Sequence, residues 1–336
     1  MKESGYKLSI IFTTYNHEKY VERALRSALE QVTDFDFEII IGEDCSTDGT
    51  RAVIDRVVAE YPERHVKKLY REKNLGRATK NIYQTSMECT GEYLGYLQGD
   101  DYWTDKHKLQ KQVDFLEHHR EYIACTHACV MVDENSEEIK DEEILKIGGL
   151  YDYSGCFTFE DYKYSGKWPG HFATLVSRNI YPEGKYDYTL LYKAHDYIDD
   201  CIILLFLLIQ GDIYRMDETM SAWRYVKKQG GDNWNSLALN RDTVKEDCYL
   251  SQNVTKWLKQ YREISEYGQK RAKKDFEMAL KMYLKAPNKE NKRFLKDMYD
   301  YNIKEIVCPG KKTTLVGYSA KCIIEKIFGW KERTEA

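Results

Sequence analysis

The sequence of 336 residues predicts an α/β fold, with a mostly parallel central sheet flanked by helices and an added C-terminal helical region. Short apolar runs, typical of buried strands, alternate with amphipathic stretches about 10 to 15 residues long. This alternation predicts right-handed crossovers between parallel strands. From about Asn235 the pattern is helical, with breaks at Pro287 and Pro309. Ligands of such sheets bind at the carboxyl ends of the strands.

The first third of the chain contains four strand–helix repeats. Strands are predicted over residues 8–12, 37–42, 66–70 and 93–97. Helices are predicted over residues 17–31 and 77–87, and the segment 46–50 opens another helix with hydroxyl and carboxylate caps. Asn74-Leu75-Gly76 forms a turn.

The next hundred residues continue the pattern less regularly. A helix is predicted from 106 to 119, a strand over 123–132, a mobile surface excursion over 133–166 and a strand over 171–177. A strongly apolar helix follows over 197–210 and a short strand over 212–216.

Composition and charge exclude several classes of protein. With 42% hydrophobic and 32% charged residues the chain is typical of soluble globular proteins. The net charge of −4 hides an asymmetry, because residues 251–336 carry 20 lysines and arginines against 11 acids. Two interpretations of this basic region stay open, peripheral contact with an anionic membrane or a solvated helical face. No basic stripe runs through the first half, so nucleic acid is not an expected partner.

The nine cysteines follow no disulfide pattern, and no secretory signal begins the sequence, so reduced thiols in a cytoplasmic protein are expected. Cys125, His127 and Cys129 alternate along a predicted strand. No second ligand pair is apparent, which favours a half-buried strand face over a zinc site. The longest apolar run, residues 202–209, is too short to span a bilayer.

Two adjacent carboxylates, Asp100 and Asp101, follow the apolar strand at 93–97. Burying one unpaired carboxylate costs several kcal/mol, so the pair needs a cation or contact with water. Carboxylate oxygens suit Mg²⁺ or Mn²⁺, and these ions suit a diphosphate. The alternative is a turn whose acids cap a helix starting near Thr104. Tyr15 and Asp44 also fall at strand ends, and this convergence is the main argument for a site.

Five motifs in order extend this pattern. They are Ser9-Ile-Ile-Phe-Thr-Thr-Tyr-Asn16, Glu38-Ile-Ile-Ile-Gly-Glu-Asp-Cys-Ser-Thr-Asp-Gly-Thr50, Asn74-Leu-Gly76 with Lys80-Asn81, Gly99-Asp-Asp-Tyr-Trp103, and His195-Asp196. Over about residues 7–230 the chain resembles glycosyltransferase family 2, inverting metal-dependent enzymes with the GT-A (Rossmann-like) fold. The resemblance implies a catalytic domain over 1–232, with a nucleotide-sugar half (1–105) and an acceptor half (106–232), followed by a C-terminal helical region over 233–336.

The resemblance implies a donor site at the strand ends. Thr14 and Tyr15 would flank the base, and Glu43 and Asp44 would contact base or ribose, although Asp44 also fits a helix-capping role. Further donor-binding candidates are Glu18, Asn74, Gln98, Gly99 and Lys80, the last of which also fits a solvated lysine. Asp100 would be the principal Mn²⁺ or Mg²⁺ ligand, and Asp101 either a second ligand or a partner of the following helix. Gln98 departs from the family, which usually has an aspartate there, and Val226 stands where relatives often have histidine.

The same resemblance places the acceptor near Trp103, His171 and His195, and makes Asp196 the general base. N-capping of the helix at 197 explains Asp196 equally well, and His195 is an alternative base. The implied reaction moves a sugar from a nucleoside-diphosphate donor, a UDP-sugar in the common case, to a glycan or lipid-linked acceptor.

Two other functions remain open. A sugar-nucleotide pyrophosphorylase would need a glycine-rich phosphate loop after the first strand, and residues 13–17 contain no glycine. A non-catalytic carbohydrate-binding protein would leave the acid pair unexplained. At the C-terminus, Leu315, Val316, Ala320, Ile323, Ile324, Ile327 and Phe328 share one predicted helical face, which fits either an anionic membrane surface at the inner face of the cell membrane or docking on the enzyme's own core.

Overall fold

The computed structural model describes residues 5–147, 154–162, 169–194, 201–227, 236 and 243–328. The chain divides into two compact units, residues 1–239 and 240–336.

The first unit is built on nine described strands. They are β1 (Leu8–Thr14), β2 (Phe37–Glu43), β3 (His65–Tyr70), β4 (Tyr93–Gln98), β5 (Tyr102–Trp103), β6 (Tyr122–Val132), β7 (Gly155–Phe157), β8 (Val176–Arg178) and β9 (Asp212–Arg224). The helices are α1 (Val21–Leu29), α2 (Thr50–Ala59), α3 (Ala78–Ser86), α4 (Lys108–His118), α5 (Glu142–Ile147), α6 (Leu190–Lys193) and α7 (Cys201–Leu208), with a 3₁₀ turn at Phe172–Thr174.

The strands form one mixed sheet in the order β3-β2-β1-β4-β8-β6-β9-β5, with β7 paired to β9. The half made of β3, β2, β1 and β4 is parallel, as its alternation with helices predicts. β8 enters antiparallel to both β4 and β6, and β6 runs parallel to β9. In register, Thr14 lies opposite Glu43 and Thr13 opposite Gln98, so three carboxyl ends meet at one edge.

The core follows from the apolar runs. Every residue of β1 and of β2 is buried, and α1 covers them with Val21, Leu25 and Leu29. α1 begins four residues later than predicted, because the backbone N–H of Tyr20 bonds the His17 carbonyl at 2.8 Å in a separate turn.

Two predicted strands are wrong in extent. His171 does not begin a strand but precedes the 3₁₀ turn, where its ring nitrogen Nδ1 accepts from the Ala173 N–H at 3.3 Å. The strand predicted over 212–216 continues to Arg224, because its second half pairs with both β6 and β5. The excursion at 133–166 has local order in its described parts, including α5, β7 and a bridge between Val132 and Glu138.

The second unit is helical, as predicted. It contains α8 (Thr243–Leu258), α9 (Glu266–Lys285), α10 (Lys289–Met298), a π-helix (Tyr299–Val307) and α11 (Leu315–Phe328). The breaks fall at Pro287 and Pro309. Ser265 caps α9 and Asn288 caps α10 through side-chain oxygens.

The helices of this unit share one apolar core around Phe276, Phe294 and Tyr299. α11 contributes Tyr318 and Cys322 to that core, whereas Val316 is 79% exposed. Of the predicted apolar face, Leu315 packs partly against that core, whereas Val316 and Ala320 are exposed. Among the helices of the described ranges, none combines the length and apolarity needed to cross a bilayer.

Candidate functional site

Two loops join at the edge where β1 and β2 end. Asn16, in the left-handed region with φ 54°, accepts from the Thr47 N–H at 2.9 Å. Its own N–H donates to the Ser46 hydroxyl at 2.9 Å. The Glu18 carboxylate accepts from the Gly49 N–H at 3.1 Å and so helps to hold the start of α2. Tyr15, at the tip of the first loop, is 37% exposed.

The acids after β2 have different environments. The fully buried Glu43 carboxylate accepts from the Ser46 N–H at 2.6 Å and pairs with the Arg51 guanidinium, so both its oxygens are engaged inside the protein. Asp44 accepts from the Leu75 N–H at 2.9 Å. Burial raises the pKa of Asp44, opposed by that N–H and by the charge of Arg71.

The turn at 74–76 completes this side of the edge. The Asn74 side chain donates to the Asp44 carbonyl at 3.0 Å. Lys80 lies half-buried in the first turn of α3, close enough to Asp44 to favour its charged form. The structure thus brings together Asp44, Asn74 and Lys80 beside the loop that carries Tyr15.

The acid pair follows β4 directly. Asp100 Oδ2 lies 3.8 Å from His17 Nε2, and the buried Asp100 Oδ1 has no hydrogen-bond partner in the part of the chain that the structure describes. Asp101 is turned the other way: its Oδ1 accepts from the Arg224 N–H at 2.8 Å, and its Oδ2 lies 3.7 Å from His171 Nδ1. Asp101 therefore fastens β9 to the loop, and Asp100 is the member directed to the strand-end edge.

Gly99 allows this close approach. A Cβ at this position would lie 2.5 Å from Thr14 Oγ1 and 2.9 Å from His17 Nδ1, closer than Cβ atoms pack. The Gly99 N–H donates to the Thr13 carbonyl at 2.9 Å. The backbone carbonyl of the half-buried Gln98 accepts from the Asp101 N–H at 3.1 Å. The glycine thus sets the acid pair against the loop after β1.

Of the residues predicted to contact the acceptor, the structure describes His171 and Trp103. His171 stacks on Trp223 with ring centroids 4.6 Å apart, and burial lowers its pKa to about 3, so the ring is neutral. Trp103 is 4% exposed, and its indole N–H donates to the Ala173 carbonyl at 2.8 Å. Because the hydrophobic core encloses the Trp103 ring, this side chain contributes to packing in the structure. His195 and Asp196 lie outside the described residues.

Two residues near the acids were missed at the sequence level. His17 follows the loop after β1, and the adjacency of β1 and β4 brings it to Asp100. Arg224 donates to the Asp100 carbonyl at 2.9 Å and to the Asp133 carbonyl, and its guanidinium lies 4.3 Å from the centre of the Tyr20 ring. The contact between His17 and Asp100 could have been predicted from the motif at 13–16 only with the knowledge that β1 and β4 are neighbours.

One feature of this edge, an oxygen of Asp100, suits a divalent cation. A buried carboxylate oxygen without a partner, Asp100 Oδ1, is costly unless a cation meets it. Among the described residues no three histidine, cysteine or acidic side chains gather for a metal. A cation held here would therefore take its remaining ligands from water and from a donor's diphosphate, as Mg²⁺ commonly does.

Comparisons with known proteins agree with this geometry. The family model described as Glycosyl transferase family 2 matches residues 9–209. An uncharacterised protein of Mycobacterium tuberculosis is 37% identical over 147 residues, 44% of this chain and 41% of that protein. The putative glycosyltransferase EpsE of Bacillus subtilis is 34% identical over 131 residues, 39% of this chain and 46% of that protein. Each match thus spans less than half of the relative's length.

Among solved structures, residues 1–349 of TarS from Staphylococcus aureus, in complex with UDP-GlcNAc, superpose with a TM-score of 0.61. The sequence identity is 16%, and the superposition covers 89% of this chain and 81% of that one. At this identity the likeness establishes the fold. The GT-A-like architecture expected from the motifs is confirmed.

Proposed function

The chain belongs to glycosyl transferase family 2, and from this premise we propose that it is an inverting, metal-dependent hexosyltransferase. It transfers a sugar from a nucleoside-diphosphate donor, a UDP-sugar, to a glycan or lipid-linked acceptor of a cell-surface polysaccharide. The observation that carries the proposal is the Asp100 carboxylate, which follows β4 at the edge where β1, β2 and β4 end and has one buried oxygen with no hydrogen-bond partner among the described residues.

The donor half of the proposal rests on the neighbours of that carboxylate. Tyr15 offers an exposed ring to a base, and Asp44 with Asn74 offers an acceptor and an amide to base or ribose. Lys80 supplies positive charge beside them, suited to a diphosphate. A bound Mn²⁺ or Mg²⁺ would stabilise the charge that develops on the leaving diphosphate. Glu43 acts one layer back, because both its oxygens are engaged by protein groups, and Asp101 is turned toward β9 through the Arg224 N–H.

The acceptor half rests on Asp196, the position that matches the family's general base. Its carboxylate takes the proton of the acceptor hydroxyl as that oxygen bonds the anomeric carbon. The bond between the anomeric carbon and the diphosphate oxygen breaks, the nucleoside diphosphate leaves, and the configuration inverts. His171, whose Nδ1 lies 3.7 Å from Asp101 Oδ2, is the second acceptor-side residue of the proposal.

We expect Asp196→Asn to lower kcat at least about a hundredfold, because the amide cannot accept the proton. Donor binding, measured by calorimetry with UDP and Mn²⁺, should be nearly unchanged. The matched control is Asp187→Asn on the loop before α6. Turnover equal to that of the wild type would remove Asp196 as the base.

The proposed function is tested by thermal stability against UDP-, GDP- and dTDP-sugars, each with and without Mn²⁺. Ligand at a hundred times its dissociation constant stabilises a protein by about 2.7 kcal/mol, a shift that is easily measured. We expect a Mn²⁺-dependent rise with one donor class. No rise with any donor, in a folded sample, would favour the alternative of a non-catalytic carbohydrate-binding protein.

We also propose that the second unit contacts an anionic membrane, which suits a lipid-linked acceptor. Exposed lysines cluster where α9 turns into α10, around the 59% exposed Leu284. They are Lys281, Lys285, Lys289 and Lys292. Basic side chains near an anionic surface contribute about 1 kcal/mol each.

The membrane proposal predicts that Lys285→Glu with Lys289→Glu lowers binding to vesicles of phosphatidylglycerol and phosphatidylcholine at least about tenfold. Co-sedimentation at low and high salt measures this loss. The control, Lys106→Glu with Lys140→Glu, makes the same change of net charge at exposed sites of the first unit. Equal loss in both variants, or none in either, would leave a solvated helical face as the explanation.

A further inference from the structure

The side chain of His17 is held in one position by contacts on two sides. Its ring Nδ1 lies 3.2 Å from the Thr14 hydroxyl, and its backbone N–H donates to the Thr50 hydroxyl at 2.9 Å. Gly99 passes so close to the ring that a Cβ there would lie 2.9 Å from Nδ1. These contacts leave Nε2 as the ring nitrogen that faces away from the loop.

That free nitrogen faces the carboxylate of Asp100, with Nε2 and Oδ2 separated by 3.8 Å. The distance is too long for a hydrogen bond. It is short enough for two atoms that share one cation, because ligands about 2.1 Å from an octahedral ion lie between about 3 Å and 4 Å apart. Both side chains are 22% exposed, so the gap between them opens to the edge of the sheet.

We propose that His17 Nε2 is the second protein ligand of the divalent cation at Asp100. The inference rests on the proposed function and extends it, since it assigns a nitrogen ligand to a site otherwise made of oxygen. The Thr14 hydroxyl on Nδ1 orients the ring, as outer partners of metal-bound histidines commonly do. A mixed nitrogen and carboxylate pair disfavours Mg²⁺, which takes oxygen ligands, relative to Mn²⁺ and the later transition metals.

Two neighbours support the choice of His17 over the other nearby groups. Asp101 is directed to the Arg224 N–H and to His171, away from this gap. His171 is stacked on Trp223, and its Nδ1 accepts from the Ala173 N–H. Within the described residues, His17 is thus the imidazole that meets the Asp100 carboxylate from the β1 side.

The test uses the full chain with Mn²⁺ and UDP as the probes. Electron spin-echo modulation of bound Mn²⁺ detects a directly coordinated nitrogen, and we expect this signal in the wild type and its loss in His17→Gln. The variant should bind Mn²⁺ about tenfold more weakly in the presence of UDP, with little change for Mg²⁺. His118→Ala, an exposed histidine at the end of α4, should match the wild type in both measurements.

The outcomes separate this inference from the function on which it rests. Mn²⁺ binding that depends on Asp100 but carries no nitrogen signal would overturn the role of His17 and leave the proposed function standing. A wild-type protein that binds neither UDP nor Mn²⁺ would overturn the metal-dependent function, and the ligand role with it.

Discussion

Asp100→Asn is expected to lower turnover by about a thousandfold or more and to abolish metal-dependent binding of UDP. Asparagine keeps the shape of the side chain but removes the charge that a divalent cation needs at this edge. Loss of several kcal/mol of stabilisation on a leaving diphosphate corresponds to about that factor in rate. Steady-state transfer assays and calorimetry with UDP and Mn²⁺ measure the two effects.

The free carboxylate oxygen makes Asp100→Asn informative about folding as well. Because Oδ1 has no hydrogen-bond partner within the described ranges, removal of its charge should raise thermal stability in metal-free buffer while activity falls. Asp114→Asn, on the exposed side of α4, is the matched control and should leave activity unchanged. UDP binding that still depends on Mn²⁺ in Asp100→Asn would move the cation elsewhere.

Lys108→Met is expected to stabilise the protein by roughly 2 kcal/mol or more at pH 7, the largest change in stability that we predict. Lys108 is fully buried in the first turn of α4, and its ammonium lies 4.3 Å from the centre of the Trp103 ring. No hydrogen-bond partner of Nζ is found among the described residues. Replacing an unpaired buried charge by an apolar chain of similar size removes its desolvation cost.

The same residue gives stability a defined pH dependence. Burial lowers the pKa of Lys108 to about 7, below the value near 10.4 of an unfolded chain. Between these two values the unfolded state binds the extra proton, so stability rises with pH, and below about pH 7 the full cost is present. The advantage of Lys108→Met over the wild type should therefore shrink by roughly 1.4 kcal/mol per pH unit between about pH 8 and pH 10.

Lys111→Met is the control for this titration. Lys111 lies one turn further along α4, partly exposed and paired with Glu218 and Asp105, and these partners raise its pKa. Its contribution is constant from pH 7 to 9, because both states remain protonated there. Denaturant unfolding of the wild type and the two variants at several pH values makes the comparison. A difference between Lys108→Met and the wild type that did not vary with pH would contradict the assignment.

The local hydrophobic pattern predicted the parallel half of the sheet, whose strands and helices follow one another along the chain. The runs at β1, β2 and β4 are apolar and bounded by helices, so their parallel pairing and common carboxyl edge follow from crossover rules. The extent of β9 did not follow, since the predicted strand ended at Met216, before the polar residues Asp217, Glu218 and Thr219. Pairing with β6, remote in sequence, keeps the strand extended.

The site shows the same division. Tyr15, Asp44 and Asp100 were identified because they stand at strand ends, and Asn74 was identified through the family resemblance. The neighbour of Asp100, His17, required knowledge that β4 lies beside β1. The family resemblance placed Trp103 near the acceptor, whereas the structure buries its ring in the core. Burial of an amphipathic residue depends on what packs against it, which a single motif does not record.

The antiparallel β8, set between β4 and β6, has a consequence for the order of folding. Strands β1 to β4 come from the first hundred residues, but the sheet continues past β4 only after residues 176–178 are available, and β5 finds its partner only at residues 221–222. Such distant pairings are slow because the intervening chain must close first. We therefore expect the parallel half to form during synthesis with the β4 edge still unpaired. The acid pair would then reach its final geometry only when β9 is made and the Arg224 N–H binds Asp101.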